Sequence, residues 1–274
     1  MRSEWGPRIR EFLRDETGLK IQSKRFKDLS HINDSVEIIF SPDKNGLLLQ
    51  MIDKEYQNLD FDEYSKLKKF SEEITKVAEC FKEREEYSHI ESLAKYCKNY
   101  FAKYELDSIM DMAFNVKENG MEVWGSYKYP SRKIELYYLP IILLCKLTNV
   151  LPEFIAVVVL AHELAHAYHH LGKDKDGVIW NDFFKAEKEI TEGLAQFYTL
   201  RFVEEYESQY PALRQAYEAM IAFQTGPYVV HKDWIKDFSN EDVRLAMVAA
   251  RTSSIIKYKE FQELLNSAKE ILHR

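Results

Sequence analysis

Residues 157–172 read VVVLAHELAHAYHHLG, the stretch from which both the fold and the chemistry of the chain can be predicted. It contains His162, Glu163 and His166 in the order H-E-x-x-H. On a helix, residues four apart lie on one face about one turn apart, so the two imidazoles can bind one metal ion. Glu163 points roughly 100° away from His162 around the helix, which places its carboxylate beside the metal as a base and outside the ligand set.

The residues that precede this motif place it on a buried helix face. Ile155, Val158 and Val159 continue the stripe of His162 at helical spacing. Two histidines on such a face need partners for their ring nitrogens. A shared metal ion serves both rings, whereas core histidines without a metal each need separate hydrogen bonds.

A zinc site of this kind needs a third protein ligand. The metzincin pattern requires Gly three residues after the second His and another His three residues later, but these positions hold His169 and Gly172, so the pattern fails. His169 lies about 10 Å beyond His162 along the helix axis and is out of reach of the same ion. We expect His169 to be a plain exposed side chain.

Carboxylates on a second predicted helix are the remaining candidates. Residues 187–202 read EKEITEGLAQFYTLRF, with Glu189 and Glu192 three residues apart. A glutamate on a helix packed against the first would complete a two-His, one-Glu site with one open position. We favour Glu192 and keep Glu189 as the alternative, because one carboxylate of such a pair is often solvated.

HELAH at 162–166 and TEGLAQF at 191–197 together resemble the gluzincin metallopeptidases, the thermolysin-like and aminopeptidase-like group. The resemblance implies an α+β zincin fold, in which the H-E-x-x-H helix packs on a small, mainly antiparallel sheet and a helical C-terminal part supplies the glutamate. It also implies that Glu192 is the third zinc ligand and that Gln196, one turn later, helps to orient a ligand histidine. The small residues after Glu192 resemble those that allow close helix packing in this group.

The resemblance implies zinc-dependent hydrolysis of a peptide or protein substrate. Zinc held by His162, His166 and Glu192 would keep a water in its open position, and Glu163 would move a proton from that water to the leaving amine. LAHELAHAYHH also resembles the cytoplasmic ImmA/IrrE-type regulatory metalloproteases. A catalytically inactive binding protein of zincin fold is the alternative from another functional class. Substrate identity and endo- or exopeptidase preference stay open.

Residues 225–234, TGPYVVHKDW, supply two candidates for stabilising the oxyanion of the transition state. Zincins need a donor opposite the metal, and either Tyr228 or His231 could serve after the Gly-Pro break. The alternative places Tyr228 in the core and His231 on the surface. Arg244 and Arg251, seven residues apart on a predicted helix, favour a salt-bridged face over a clamp for a substrate carboxylate.

The composition fits one compact domain, or a large domain with a smaller companion. The 38 basic and 45 acidic residues give a net charge of −7, and no basic patch indicates a nucleic-acid partner. Cys80, Cys97 and Cys145 are too few for a disulfide framework. The apolar stretch from Leu139 to Ala165 contains charges and Pro152, so it predicts core and no membrane association. Without a secretory signal at the N-terminus, we expect a cytoplasmic protein.

The N-terminal part predicts helices with one β-hairpin. Val36–Phe40 and Leu47–Ile52 are β-prone runs around a Pro-Asp-Lys-Asn-Gly turn, and helical spacing follows from Phe61 to about Asn115. We therefore divide the chain into residues 1–118, a helical part with a β-hairpin, and residues 119–274, the metallopeptidase domain.

A second hairpin is predicted within residues 121–138, around the turn Tyr-Pro-Ser-Arg with Pro in its preferred place. Zincins commonly bind an extended substrate along the edge strand that precedes the metal-binding helix. The strand Arg132–Tyr138, which follows this turn, is our candidate for that edge.

Overall fold

The computed structural model describes residues 2–21, 36–42, 61–80, 88–102 and 124–272. Helices dominate these ranges, and a small three-stranded sheet accompanies them. In chain order the elements are α1 (Arg2–Thr17), β1 (Glu37–Ser41), α2 (Phe61–Cys80), α3 (Ser88–Ala102), β2 (Gly125–Lys128), β3 (Lys133–Tyr137), α4 (Tyr138–Thr148), α5 (Pro152–Leu171), α6 (Lys188–Tyr206), α7 (Ala212–Ala222), α8 (His231–Asp237), α9 (Asn240–Thr252) and α10 (Tyr258–Leu272). Short 3-10 helices cover Phe183–Lys185 and Gly226–Val229.

The chain forms two compact units, residues 1–41 with 124–274 and residues 42–123. In the smaller unit α2 packs against α3, which confirms the helical prediction over those two ranges. The predicted boundary between residues 118 and 119 lies outside the described residues. The N-terminal segment differs from the predicted division, because α1 packs on α5 and α6 and β1 joins the sheet of the larger unit.

Helix α5, which carries H-E-x-x-H, lies at the centre of the larger unit. It begins at Pro152, whose fixed φ suits the first helical position, and ends before Gly172. It contacts α1, α4, α6, α7 and the sheet. Every residue from Ile155 to His169 is buried, so the predicted buried face extends around the whole helix.

The sheet has the order β1-β3-β2. β2 and β3 are antiparallel, and the turn between them closes with the amide of Arg132 donating to the carbonyl of Tyr129, so the second predicted hairpin is confirmed. β1 pairs with β3 in parallel, which makes the sheet mixed where a mainly antiparallel one was expected. The first arm of the other predicted hairpin forms β1, and its second arm, Leu47–Ile52, lies outside the described residues.

Strand β3 is central, so the prediction that Arg132–Tyr138 forms the edge is wrong. The local pattern did not reveal that residues 37–41 pair with its second side. Among the described strands, β2 lies at the edge next to α5. A Cβ on Gly125 would come 2.6 Å from Cγ1 of Val159, so glycine permits this close approach of strand to helix.

Helix α6 packs along α5 and is buried over most of its length. A Cβ on Gly193 would lie 2.5 Å from the ring of Trp234 and 2.7 Å from Cγ2 of Val230. This glycine therefore permits close packing of α6 against α8 and the residue that precedes it.

The apolar stretch Leu139–Ala165 forms most of α4 and the first two thirds of α5. No helix in the described ranges combines the length and the apolar character needed to cross a membrane.

Candidate metal centre

Helices α5 and α6 bring His162, His166 and Glu192 together. Nε2 of His162 lies 3.1 Å from Nε2 of His166 and 3.1 Å from a carboxylate oxygen of Glu192. The same oxygen is 3.2 Å from Nε2 of His166. All three residues are buried, so three potential metal donors face one another in the core.

The spacing of these donors fits a zinc ion. Zinc binds nitrogen and oxygen ligands at about 2.0–2.1 Å in tetrahedral geometry, which places neighbouring ligand atoms roughly 3.3 Å apart. The observed separations of 3.1–3.2 Å are close to one face of that tetrahedron. A divalent ion would use the lone pairs of all three groups at once.

The pKa shifts of His162 and Glu192 also suit a metal. Burial lowers the pKa of His162, which favours the neutral ring. Burial alone would raise the pKa of the Glu192 carboxyl, but His166 and His162 beside it more than offset that effect and hold the pKa well below its usual range. Neutral imidazoles and an ionised carboxylate are the forms that bind a metal.

Glu163 is buried and belongs to α5, one residue after His162. It is not a member of the donor group. A Cβ on Gly125 would approach Cγ of Glu163 to 3.3 Å, so the edge strand β2 lies against this side chain. The side chain of Glu163 is thus buried where the edge strand β2 approaches α5.

The α6 side chains near Glu192 differ in what they contact. Glu189 is half-buried and does not join the donor group. The amide nitrogen of Gln196 donates to the side-chain oxygen of Gln224 at 2.7 Å, where we expected it to support a ligand histidine. Nδ1 of His162 is buried and has no hydrogen-bond partner among the described residues. Among the described residues, no hydrogen bond therefore supports the expected role of Gln196 in orienting a ligand histidine.

The two oxyanion candidates occupy different environments. Tyr228 lies in the 3-10 helix Gly226–Val229, half-buried, with its ring stacked 6.3 Å from that of His162. His231 is fully buried, and its Nε2 is 2.7 Å from the hydroxyl of Tyr217. Burial lowers the pKa of His231 to about 4. The alternative prediction placed Tyr228 in the core and His231 on the surface, whereas His231 is the more buried of the two. Of these residues, only Tyr228 has its ring against a metal donor.

Two side chains that we expected to be exposed are buried. His169 packs against the ring of Tyr198, because α5 is covered on all sides. Arg251, on α9, donates to the carbonyls of His169 and Gly172 at the end of α5 and to that of Val178 in the loop beyond. Burial lowers the pKa of Arg251 to about 10, so it is charged at neutral pH. Of the two arginines, Arg244 forms the expected kind of salt bridge, with an acidic residue of its own helix.

Three residues beside the metal donors were missed by the sequence reasoning. Phe183 contacts the ring of His166 at 6.1 Å and stacks on His170 at 5.4 Å. The hydroxyl of Tyr127 lies 2.9 Å from Nδ1 of His170. Helical spacing alone could have indicated His170, because it follows His166 by four residues and so shares the face of the metal donors.

Comparisons with known protein families, curated proteins and solved structures found no match. What the site can do chemically is therefore inferred from its own geometry. Three buried donors arranged to bind a divalent ion, with a further buried carboxylate on the same helix, can bind a metal and move a proton.

Proposed function

We propose that the protein is a zinc-dependent metallopeptidase with a zincin fold, related to the gluzincin group. The observation that supports this proposal best is the donor group itself, His162, His166 and Glu192, with Glu163 adjoining it on α5. Structural zinc sites are usually closed by four protein ligands. Within the described part of the chain this group has three, as a catalytic site with one open position requires.

Each residue has a distinct role in the proposed hydrolysis. The two histidines and Glu192 hold the ion. When bound, zinc lowers the pKa of a coordinated water and polarises a carbonyl. Glu163 accepts the proton of the attacking water and passes it to the leaving amine. Tyr228 donates a hydrogen bond to the carbonyl oxygen as negative charge develops on it.

The substrate is a peptide that extends along β2. This strand is at the sheet edge among the described residues and lies against Glu163, so an added strand there would pass the base. Strand β3, which the sequence predicted as the substrate-binding edge, cannot take this role because it has neighbours on both sides.

Metal analysis combined with a base variant tests the proposal. Glu163→Gln should keep one zinc per chain and the native fold but lose at least about 100-fold in kcat on a peptide substrate, because a general base contributes 10²–10⁴-fold. Glu153→Gln is the matched control, since Glu153 is exposed at the start of the same helix. It should match the wild-type protein in both measurements.

Three outcomes would contradict the proposal in different ways. Full activity of Glu163→Gln would remove the base from the mechanism. Stoichiometric zinc with no cleavage of any member of a peptide library would favour a non-catalytic binding protein. Stoichiometric binding of another divalent metal in preference to zinc would overturn the choice of cofactor.

A further inference from the structure

Two exposed aromatic rings stack on each other close to the candidate metal centre. Tyr129, in the turn between β2 and β3, and Phe184, in the 3-10 helix before α6, have ring centroids 5.3 Å apart and an interplanar angle of 6°. They are 40% and 52% exposed. The two rings come from distant parts of the chain, so the fold itself brings them together at the surface.

A continuous series of ring contacts leads from the metal donors to this pair. Phe183 contacts His166 and stacks on His170, and His170 meets Tyr129 edge-on at 5.8 Å. His170 lies one helical turn, about 6 Å, beyond His166. Tyr129 lies a further ring contact of 5.8 Å beyond His170, and an extended peptide rises about 3.3 Å per residue, so the exposed pair lies about two to four substrate residues from the metal donors.

The floor beneath the exposed pair is fixed and uncharged. The hydroxyl of Tyr127 is 2.9 Å from Nδ1 of His170, which holds the imidazole in one orientation. Burial raises the pKa of Tyr127 above its usual value and lowers the pKa of His170 to about 4, so both groups are neutral at physiological pH. Nζ of Lys185 lies 5.6 Å from the centroid of the Phe184 ring, but it is paired with Asp182 at 2.8 Å. The aromatic faces themselves are uncharged and favour an apolar side chain over a charged one.

We propose that this aromatic shelf, formed by Tyr129 and Phe184 over Phe183 and His170, binds an aromatic or large aliphatic side chain of the peptide substrate. That side chain lies about two to four residues from the scissile bond. The inference rests on the proposed peptidase function and adds the class of substrate that the site selects. A stacked pair that is left half-exposed gains the missing contacts when such a side chain covers it.

Paired peptides test the shelf. Two quenched-fluorescence peptides differ only in Phe or Ala at one position, which is moved through the four residues on either side of the cleaved bond. At one position the wild-type protein should prefer Phe at least about tenfold in kcat/KM. Tyr129→Ala and Phe184→Ala should each reduce this ratio below about threefold. A ratio within one sample is insensitive to the folded fraction, so partial misfolding does not imitate the effect.

Tyr138→Ala is the matched control. Tyr138 is 42% exposed, close to Tyr129 in accessibility, but it follows β3 whereas Tyr129 precedes it. This variant should keep the wild-type ratio. Isothermal titration of the two peptides into Glu163→Gln and Glu163→Gln/Phe184→Ala gives a second readout, in which Phe184→Ala should weaken binding of the Phe peptide at least about fivefold.

The outcomes separate this inference from the proposed function. Cleavage with no preference for Phe, or a preference that both shelf variants retain, overturns the shelf and leaves the peptidase proposal standing. If zinc-loaded protein neither cleaves nor binds any peptide, both proposals fail. If Tyr129→Ala instead converts a dimer into a monomer without changing the ratio, the aromatic pair is a self-association surface and the shelf is overturned.

Discussion

Tyr228→Phe removes a single hydroxyl group and should slow the reaction strongly. The ring of Tyr228 stacks on that of His162, and phenylalanine keeps this contact, so the variant isolates the hydroxyl. One hydrogen bond to a developing oxyanion contributes about 2.7–4 kcal/mol, which corresponds to a loss of about 10²–10³ in kcat. KM should change less than about threefold, because the substrate carbonyl carries little charge before attack.

The measurement is steady-state kinetics on one quenched-fluorescence peptide at equal zinc occupancy. Tyr217→Phe is the control, because it removes a buried hydroxyl whose hydrogen bond is to His231, which is not one of the metal donors. It should lower stability and leave kcat within about threefold of wild type. A wild-type kcat in Tyr228→Phe would refute the reasoning. An equal loss in His231→Gln, with stability preserved, would transfer the role to His231.

Three further results are expected. Glu192→Ala should lower zinc affinity more than about 100-fold, because loss of a residue that only supports a ligand already costs 10–100-fold. Glu189→Ala should leave zinc affinity unchanged. Competition with a chromophoric chelator measures both affinities. Burial lowers the pKa of His231 to about 4 from 6.5, so the folded state disfavours its protonation. Protonation of His231 should therefore leave stability to urea unaffected above pH 6.5 and lower it by about 3 kcal/mol as the pH drops to 4, where other buried histidines also contribute. His231→Gln should reduce the total loss by about that amount; an unchanged pH profile would argue against it. Gly193→Ala should destabilise the fold by about 1–2 kcal/mol, because overlap with Trp234 outweighs the gain in helix propensity; an increase in melting temperature would contradict this.

The donor group could be predicted from the sequence because most of its information is local. The four-residue spacing of His162 and His166 already places two donors on one helix face. Glu192 required an additional resemblance, because helical spacing alone allowed Glu189 as well. The pairing of α5 with α6 decides between them, and that pairing is a long-range contact that neither segment encodes by itself.

Environments beyond the donors were harder to predict. Tyr228 and His231 are three residues apart, yet one is half-buried beside a donor and the other is buried against Tyr217. Their local sequence carries no information about which neighbouring helix covers them. His169 was expected to be exposed for the same reason, because its spacing on the helix gives an azimuth and not the packing around it.

The sheet shows the same limit at the level of topology. The hairpin of β2 and β3 follows from alternation and a Tyr-Pro-Ser-Arg turn, so it could be predicted. The place of β3 in the centre depends on β1, which is about 90 residues earlier in the chain and pairs with it in parallel. No local pattern specifies such a distant partner. For this reason the sequence predicts β3 at the edge of the sheet, whereas the structure places it in the centre.

Arg251 couples the far end of the metal-binding helix to the C-terminal part of the chain. Its guanidinium donates to three carbonyls from the end of α5 and the loop beyond, where the negative end of a helix dipole favours a cation. Helix α9 cannot detach without breaking these hydrogen bonds and leaving the three carbonyls without their donor. The amides at the end of α5 and those of α9 should therefore exchange with solvent through one shared opening, so that the two helices form a single cooperative unit.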